Sequence, residues 1–172
     1  MKKFNYLNLP KLHIDDNLIL GEVSYNPASG YKSYKIKSNN LIDQILKTLP
    51  LKISDLIDPE HDILFQTINS DLNNYIHKDG RAFAINYLID PGGNNVETLF
   101  FNEDKDIVET NVMVQNSWAL LETSKFHCVT NISTLRKAIT ISFGGYPNFQ
   151  NPINDTNINY LTKLFYNPND IS

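Results

Sequence analysis

Four residues in this chain have the types and spacings that chemistry would need. His77 and Asp79 stand two apart in Tyr75-Ile76-His77-Lys78-Asp79-Gly80, His127 follows in Phe126-His127-Cys128, and Arg136 comes nine residues later in Leu135-Arg136-Lys137. In an extended segment, side chains two apart leave from one face, so His77 and Asp79 would approach a single metal together. His127, arriving from another strand, completes a facial set of two histidines and one carboxylate, which suits Fe(II) and leaves coordination positions open. Arg136 adds a planar fork that grips a carboxylate bidentately and stays charged when buried. Together they are what a mononuclear iron site with a bound dicarboxylate requires.

The tripeptide alone is weak evidence. With four histidines and thirteen aspartates in 172 residues, composition produces His-x-Asp roughly 0.3 times by chance. Taken singly, His77 reads as a turn histidine beside a solvated Asp79, and His127 as a core histidine. The set gains weight because His127 falls in a strand-like segment and is followed by one of only two arginines in the chain. Lysine outnumbers arginine thirteen to two, a bias expected of an AT-rich genome such as that of a phage or a small marine or parasitic bacterium. Against that bias the arginine at 136 stands out. His13 and His61 have no strand partner at ligand spacing and are assigned no role. Cys128 alternates with His127 and is expected to point to the opposite side, into a core.

The constellation resembles the Fe(II)- and 2-oxoglutarate-dependent dioxygenases, and its spacing is most similar to their prolyl 4-hydroxylase-like branch, over about residues 60 to 143. In that family a Tyr-rich strand follows the first ligands, then a Gly-Gly turn and Glu-Thr-x-Phe. Here Ala84-Ile85-Asn86-Tyr87-Leu88, Gly92-Gly93 and Glu97-Thr98-Leu99-Phe100 stand in those places, with Asn94-Asn95-Val96 inserted. The resemblance implies Fe(II) held by His77, Asp79 and His127, with 2-oxoglutarate as cosubstrate and dioxygen as oxidant. It further implies that Arg136 holds the far carboxylate of 2-oxoglutarate, with Tyr87, Asn86, Gln66 and Thr140 as further candidates for hydrogen bonds to it. The product is succinate, CO2 and a hydroxylated substrate.

The branch implies a prolyl residue of a peptide or protein as substrate, with a free amino acid or other small molecule as the alternative, since fold does not fix substrate. Nucleic-acid demethylases of the superfamily usually carry a second arginine six residues after the first, where this chain has Ser142. Phytanoyl-type members usually show Arg-x-Ser, where it has Arg136-Lys137-Ala138. A net charge of −4 and a pI near 5.5 also argue against a nucleic-acid partner, since neutralising phosphates takes a basic surface. Two other classes stay open: a non-catalytic β-barrel binding or structural module, and a cupin-like metalloenzyme that does not use 2-oxoglutarate.

These residues need strands to position them. From His77 to Phe143 the chain reads as short strands over 81–89, 96–101, 107–115, 118–121, 125–130 and 135–143. Turn signals at Asp90-Pro91-Gly92-Gly93, Asn102-Glu103-Asp104, Gln115-Asn116-Ser117 and Asn131-Ile132-Ser133 separate them. This density predicts a mainly β fold, a double-stranded β-helix of the jelly-roll or cupin kind, with a few flanking α-helices. Upstream, residues 7–20 read as an entry strand that 21–25 continues or pairs with, and 62–69 as a strand. The ribbon Tyr31 to Lys37 alternates aromatic or apolar with basic residues. It reads as a solvated edge strand, with a mobile lid over residues 25–37 or a peptide-gripping edge as functional alternatives. A helix is expected over 39–47 behind an Asn cap, ended by Pro50, with another near 53–57 and one in the tail at 158–165. Trp118 is expected in the barrel wall.

At 172 residues and 41% hydrophobic content the chain fits one domain spanning residues 1–172. The absence of a long apolar run predicts a soluble, cytoplasmic protein without a membrane partner, in the host cell if phage-encoded. The single cysteine fits a reducing compartment.

Overall fold

A computed structural model describes residues 2–14, 18, 20–25, 31–55, 57–143 and 165. Among these, ten strands form two antiparallel sheets: β1 (Phe4–Leu7), β2 (Leu20–Tyr25), β3 (Lys32–Ile36), β4 (Ile63–Ile68), β5 (Phe83–Asp90), β6 (Glu97–Phe101), β7 (Ile107–Val112), β8 (Ser117–Leu121), β9 (His127–Thr130) and β10 (Arg136–Phe143). The larger sheet has seven strands in the order β1-β8-β5-β10-β4-β3-β2, and the smaller has three in the order β7-β6-β9. His77 forms an isolated antiparallel bridge with His127, so the segment carrying the first histidine runs along the free side of β9.

Alternation along the strands sorts the two faces of the large sheet. Ile139, Ile141 and Phe143 of β10 join Ile85 and Tyr87 of β5, Trp118 and Leu120 of β8, and Ile63 and Phe65 of β4 in one apolar cluster. Leu41, Ile45, Leu49 and Ile53 close that cluster from outside. They come from α1 (Asn39–Thr48) and α2 (Leu51–Ser54) and the link between them. Each such side chain stabilises the fold by roughly 1.5–3 kcal/mol when fully buried. On the opposite face, Leu88, Ala119, Leu121 and Ala138 pack against Phe100 and Val129 of the small sheet in a second cluster. The two sheets therefore face one another, and the alternate residues Arg136, Thr140, Asn86 and Gln66 look into the space between them.

Several elements differ from the sequence expectation. Ser38, one residue before the asparagines, caps α1 by accepting from Leu41 N at 3.4 Å. Residues 7–20 do not make one entry strand: β1 pairs with β8, while β2 pairs with β3. β3 is not an edge, because β2 and β4 hydrogen-bond to its two sides. That fixes residues 32–36 within the sheet and removes them from any lid; residues 26–30 lie outside the described residues. The tail helix at 158–165 also lies outside them, apart from Phe165, which packs on the first cluster. A third helix, α3 (Pro59–Asp62), capped by Asp58, precedes β4. No helix among the described residues is long and apolar enough to cross a membrane.

Candidate metal centre

His77, Asp79 and His127 each offer a ligand atom, and these atoms lie within 4.8 Å of one another. Backbone hydrogen bonds bring them together. His77 N donates to His127 O at 3.0 Å, His127 N returns a bond to His77 O at 2.9 Å, and Asp79 N donates to Thr123 O at 2.8 Å. Upstream, Asn73 clamps Ile132 through two side-chain bonds of 2.8 Å each, and Asn74 N reaches Val129 O. Lys78, alternating with the two ligands, leaves the other way. Its ammonium lies 3.9 Å from the centre of the Phe126 ring and 3.2 Å from Glu103 Oε1. The short His-Lys-Asp segment is thus held on both sides without being a regular strand.

The imidazoles are oriented by a shared device. His77 Nδ1 lies 2.9 Å from Tyr75 O, and His127 Nδ1 lies 2.8 Å from Lys125 O. A carbonyl can only accept, so each Nδ1 carries the proton and each Nε2 keeps the lone pair that a metal would take, the usual outer-shell arrangement of ligating histidines. Burial and the nearby His77 hold the pKa of His127 below the usual histidine value, which keeps the ring in its ligating neutral form. Asp79 Oδ1 lies 3.5 Å from His77 Nε2. Facial ligands about 2.1 Å from one ion stand ~3 Å apart. A modest inward rotation, easiest for the half-exposed Asp79, closes the set.

The triad opens on a cavity of ≈ 520 Å³, its mouth included, shared with Tyr31, Gln66, Asn86, Arg136 and Thr140. Arg136 is the unusual member. The other arginine, Arg81, pairs with Asp62 Oδ1 at 2.9 Å. Arg136 is 3% exposed, makes no ion pair among the described residues, and its Nε is buried with no hydrogen-bond partner. A buried guanidinium without an anion costs several kcal/mol, and desolvation pulls its pKa down. Asn86 Oδ1 is likewise buried without a partner.

Of the sequence candidates, the structure brings His77, Asp79, His127, Arg136, Gln66 and Thr140 to this cavity. Thr140 Oγ1 donates to Gln66 Oε1 at 2.8 Å, joining two of them. Tyr87 needs correction. It falls on the helix-facing side of β5 and packs on Trp118 at 4.9 Å between ring centres, while its neighbour Asn86 takes the cavity side. A one-residue offset along a strand exchanges faces, and the Tyr-rich pattern does not say which residue is inward. Tyr31 was missed as a site residue. Its hydroxyl lies 3.2 Å from His77 Nε2, its ring packs beside the second cluster, and burial pushes its pKa up, so it is a neutral donor. Its alternation with lysines in the sequence signals a strand and carries nothing about the metal ligands.

No protein-family model matches the chain, and no curated protein matches it. Among solved structures, IDO from Bacillus thuringiensis aligns with 18% identity over 63% of this chain and 62% of that chain, at a TM-score of 0.38. The match spans less than two thirds of that protein, and a likeness this slight carries neither fold nor chemistry.

Proposed function

We propose that the chain is an Fe(II)- and 2-oxoglutarate-dependent dioxygenase that hydroxylates an unactivated C–H bond. The substrate class that the resemblance implies is a prolyl residue of a peptide or protein. One observation carries the reading: the buried Arg136 guanidinium, with no anionic partner among the described residues, lines the same cavity as the two-histidine, one-carboxylate cluster. A dicarboxylate whose keto-acid end reaches the metal and whose far end reaches Arg136 satisfies both at once.

The residues fit the absent groups. His77, Asp79 and His127 would hold Fe(II), with both imidazoles locked in the ligating tautomer. When bound, the iron, 2-oxoglutarate and dioxygen supply oxidative decarboxylation and C–H hydroxylation. The protein's share is position and charge. Arg136 neutralises and orients the far carboxylate, Gln66 and Thr140 present a bonded polar pair along the cavity floor, and the facing sheets exclude water. The strand order favours a double-stranded β-helix: from β4 to β10 the chain passes between large and small sheet as β4, the His77 bridge, β5, β6 with β7, β8, β9 and β10.

Anaerobic titration with Fe(II), then 2-oxoglutarate, tests the reading. A weak visible charge-transfer band that is absent from His77→Ala supports it. Folded protein that never develops the band would overturn it, leaving the non-catalytic binding module and the metalloenzyme that does not use 2-oxoglutarate.

A further inference from the structure

The lone pair that His77 would give to a metal is already in use. Its Nδ1 proton is committed to Tyr75 O at 2.9 Å, so with the ring neutral the 3.2 Å contact at Nε2 is a hydrogen bond donated by the Tyr31 hydroxyl. A lone pair cannot accept that proton and bind an ion together. Metal loading must therefore release the Tyr31 hydroxyl, and a hydroxyl left buried without an acceptor is costly.

Tyr31 cannot simply swing into solvent. Its ring leans on His77 at 5.3 Å between centres and packs beside the apolar cluster between the sheets. Its hydroxyl stays within the cavity lined by Arg136. The strongest acceptor that cavity can hold is the anion Arg136 calls for, and hydrogen bonds to charged acceptors are about twice as strong as neutral ones.

We propose that Tyr31 is a positioning residue that hands its hydrogen bond from His77 to a carboxylate of the bound 2-oxo acid, coupling metal loading to cosubstrate binding. The inference rests on the dioxygenase reading. It assigns to β3 and its approach, outside the segment that carries the ligands, a direct part in the site. It also gives Tyr31→Phe two effects of opposite sign. The variant loses the competitor for the His77 lone pair, so Fe(II) should bind about 2–10-fold tighter. It also loses a donor to the anion, so 2-oxoglutarate should bind the Fe(II)-loaded protein about tenfold or more weakly.

Both constants can be read by anaerobic calorimetric titration, first with Fe(II) alone and then with 2-oxoglutarate. The retained ring keeps the packing, and a thermal melt of the metal-free variant checks it. Tyr31→Gln, which keeps a donor but not the ring, serves as a second variant and should recover part of the 2-oxoglutarate affinity. Opposite shifts of the two constants in Tyr31→Phe support the handover. A fall in both would make Tyr31 a holder of the metal and overturn it. Unchanged 2-oxoglutarate affinity in a variant of a wild type that binds it would overturn the handover alone. A wild type that binds no 2-oxoglutarate would sink the dioxygenase reading and the handover with it.

Discussion

Gly92 and Arg136 are in backbone contact: a β-carbon on Gly92 would stand 2.9 Å from the Arg136 nitrogen and 2.9 Å from its β-carbon. Gly92 also has φ +83°, and its carbonyl accepts from both Ser133 N and Thr134 N at 2.8 Å. The turn after β5 thus sets where β10 begins, and with it where the guanidinium enters the cavity. Gly92→Ala should cost about 2 kcal/mol or more from the left-handed backbone and the clash. It should weaken 2-oxoglutarate binding while leaving Fe(II) affinity unchanged. Urea melts and paired titrations check this; equal loss of both affinities would mean the turn supports the whole site and not Arg136 in particular.

Arg136 itself should show a conflict between stability and function. Its charge is buried with no anion among the described residues. Replacing even a buried ion pair by well-packed apolar residues is often neutral or stabilising by about 1–4 kcal/mol, and an ion without a partner has no Coulombic gain to lose. Arg136→Met is therefore expected to raise the melting temperature of the metal-free protein. On the proposed function, saturating 2-oxoglutarate should stabilise the metal-loaded wild type by binding only the folded state, and should fail to stabilise the variant. A variant less stable than the wild type would mean that Arg136 already has an anion to pair with.

What was legible in the sequence follows from what each signal encodes. His77, Asp79, His127 and Arg136 could be paired on paper because their types are rare here and their chemistry specific. The strands from β4 to β10 were readable because turn residues separate them: Gly92, Gly93 and Asn95 adopt positive φ in the turn after β5, Asn116 in the turn before β8 and Asn131 in the turn after β9. The inward face of β5 was not readable, because apolar residues line both of its faces and period-two alternation then says nothing about direction. Nor was Tyr31, whose role depends on β3 lying beside β4, a long-range pairing that no local pattern specifies.

The opposite faces of β5 give a test that separates neighbours. Tyr87 packs on Trp118, with its hydroxyl 3.5 Å from Asn116 Oδ1. Tyr87→Phe should leave 2-oxoglutarate affinity within about twofold and cost about 0.5–1.5 kcal/mol of stability, since the hydroxyl also bonds the Leu12 backbone. Asn86 presents an amide to the cavity with its oxygen unpartnered. Asn86→Leu should leave the metal-free fold at least as stable and weaken 2-oxoglutarate binding. The reverse ranking of the two variants in a binding titration would restore Tyr87 to the site.

Cys128 separates burial from reactivity. It has no accessible surface, and burial pushes its thiol up to about 11. Thiol reagents attack the thiolate, so at pH 8 the native protein should be alkylated no faster than it unfolds, although the preceding residue, His127, lines the cavity. The sign of the pH effect also follows. Between its ordinary value of 9.0 and about 11 the native thiol keeps its proton, while the unfolded chain loses it. The folded state binds more protons in that window, so stability is lost as pH rises through it. Cys128→Ala should flatten that part of the stability profile relative to the wild type. Rapid native-state alkylation at pH 8, or identical profiles above pH 9, would place Cys128 in contact with solvent.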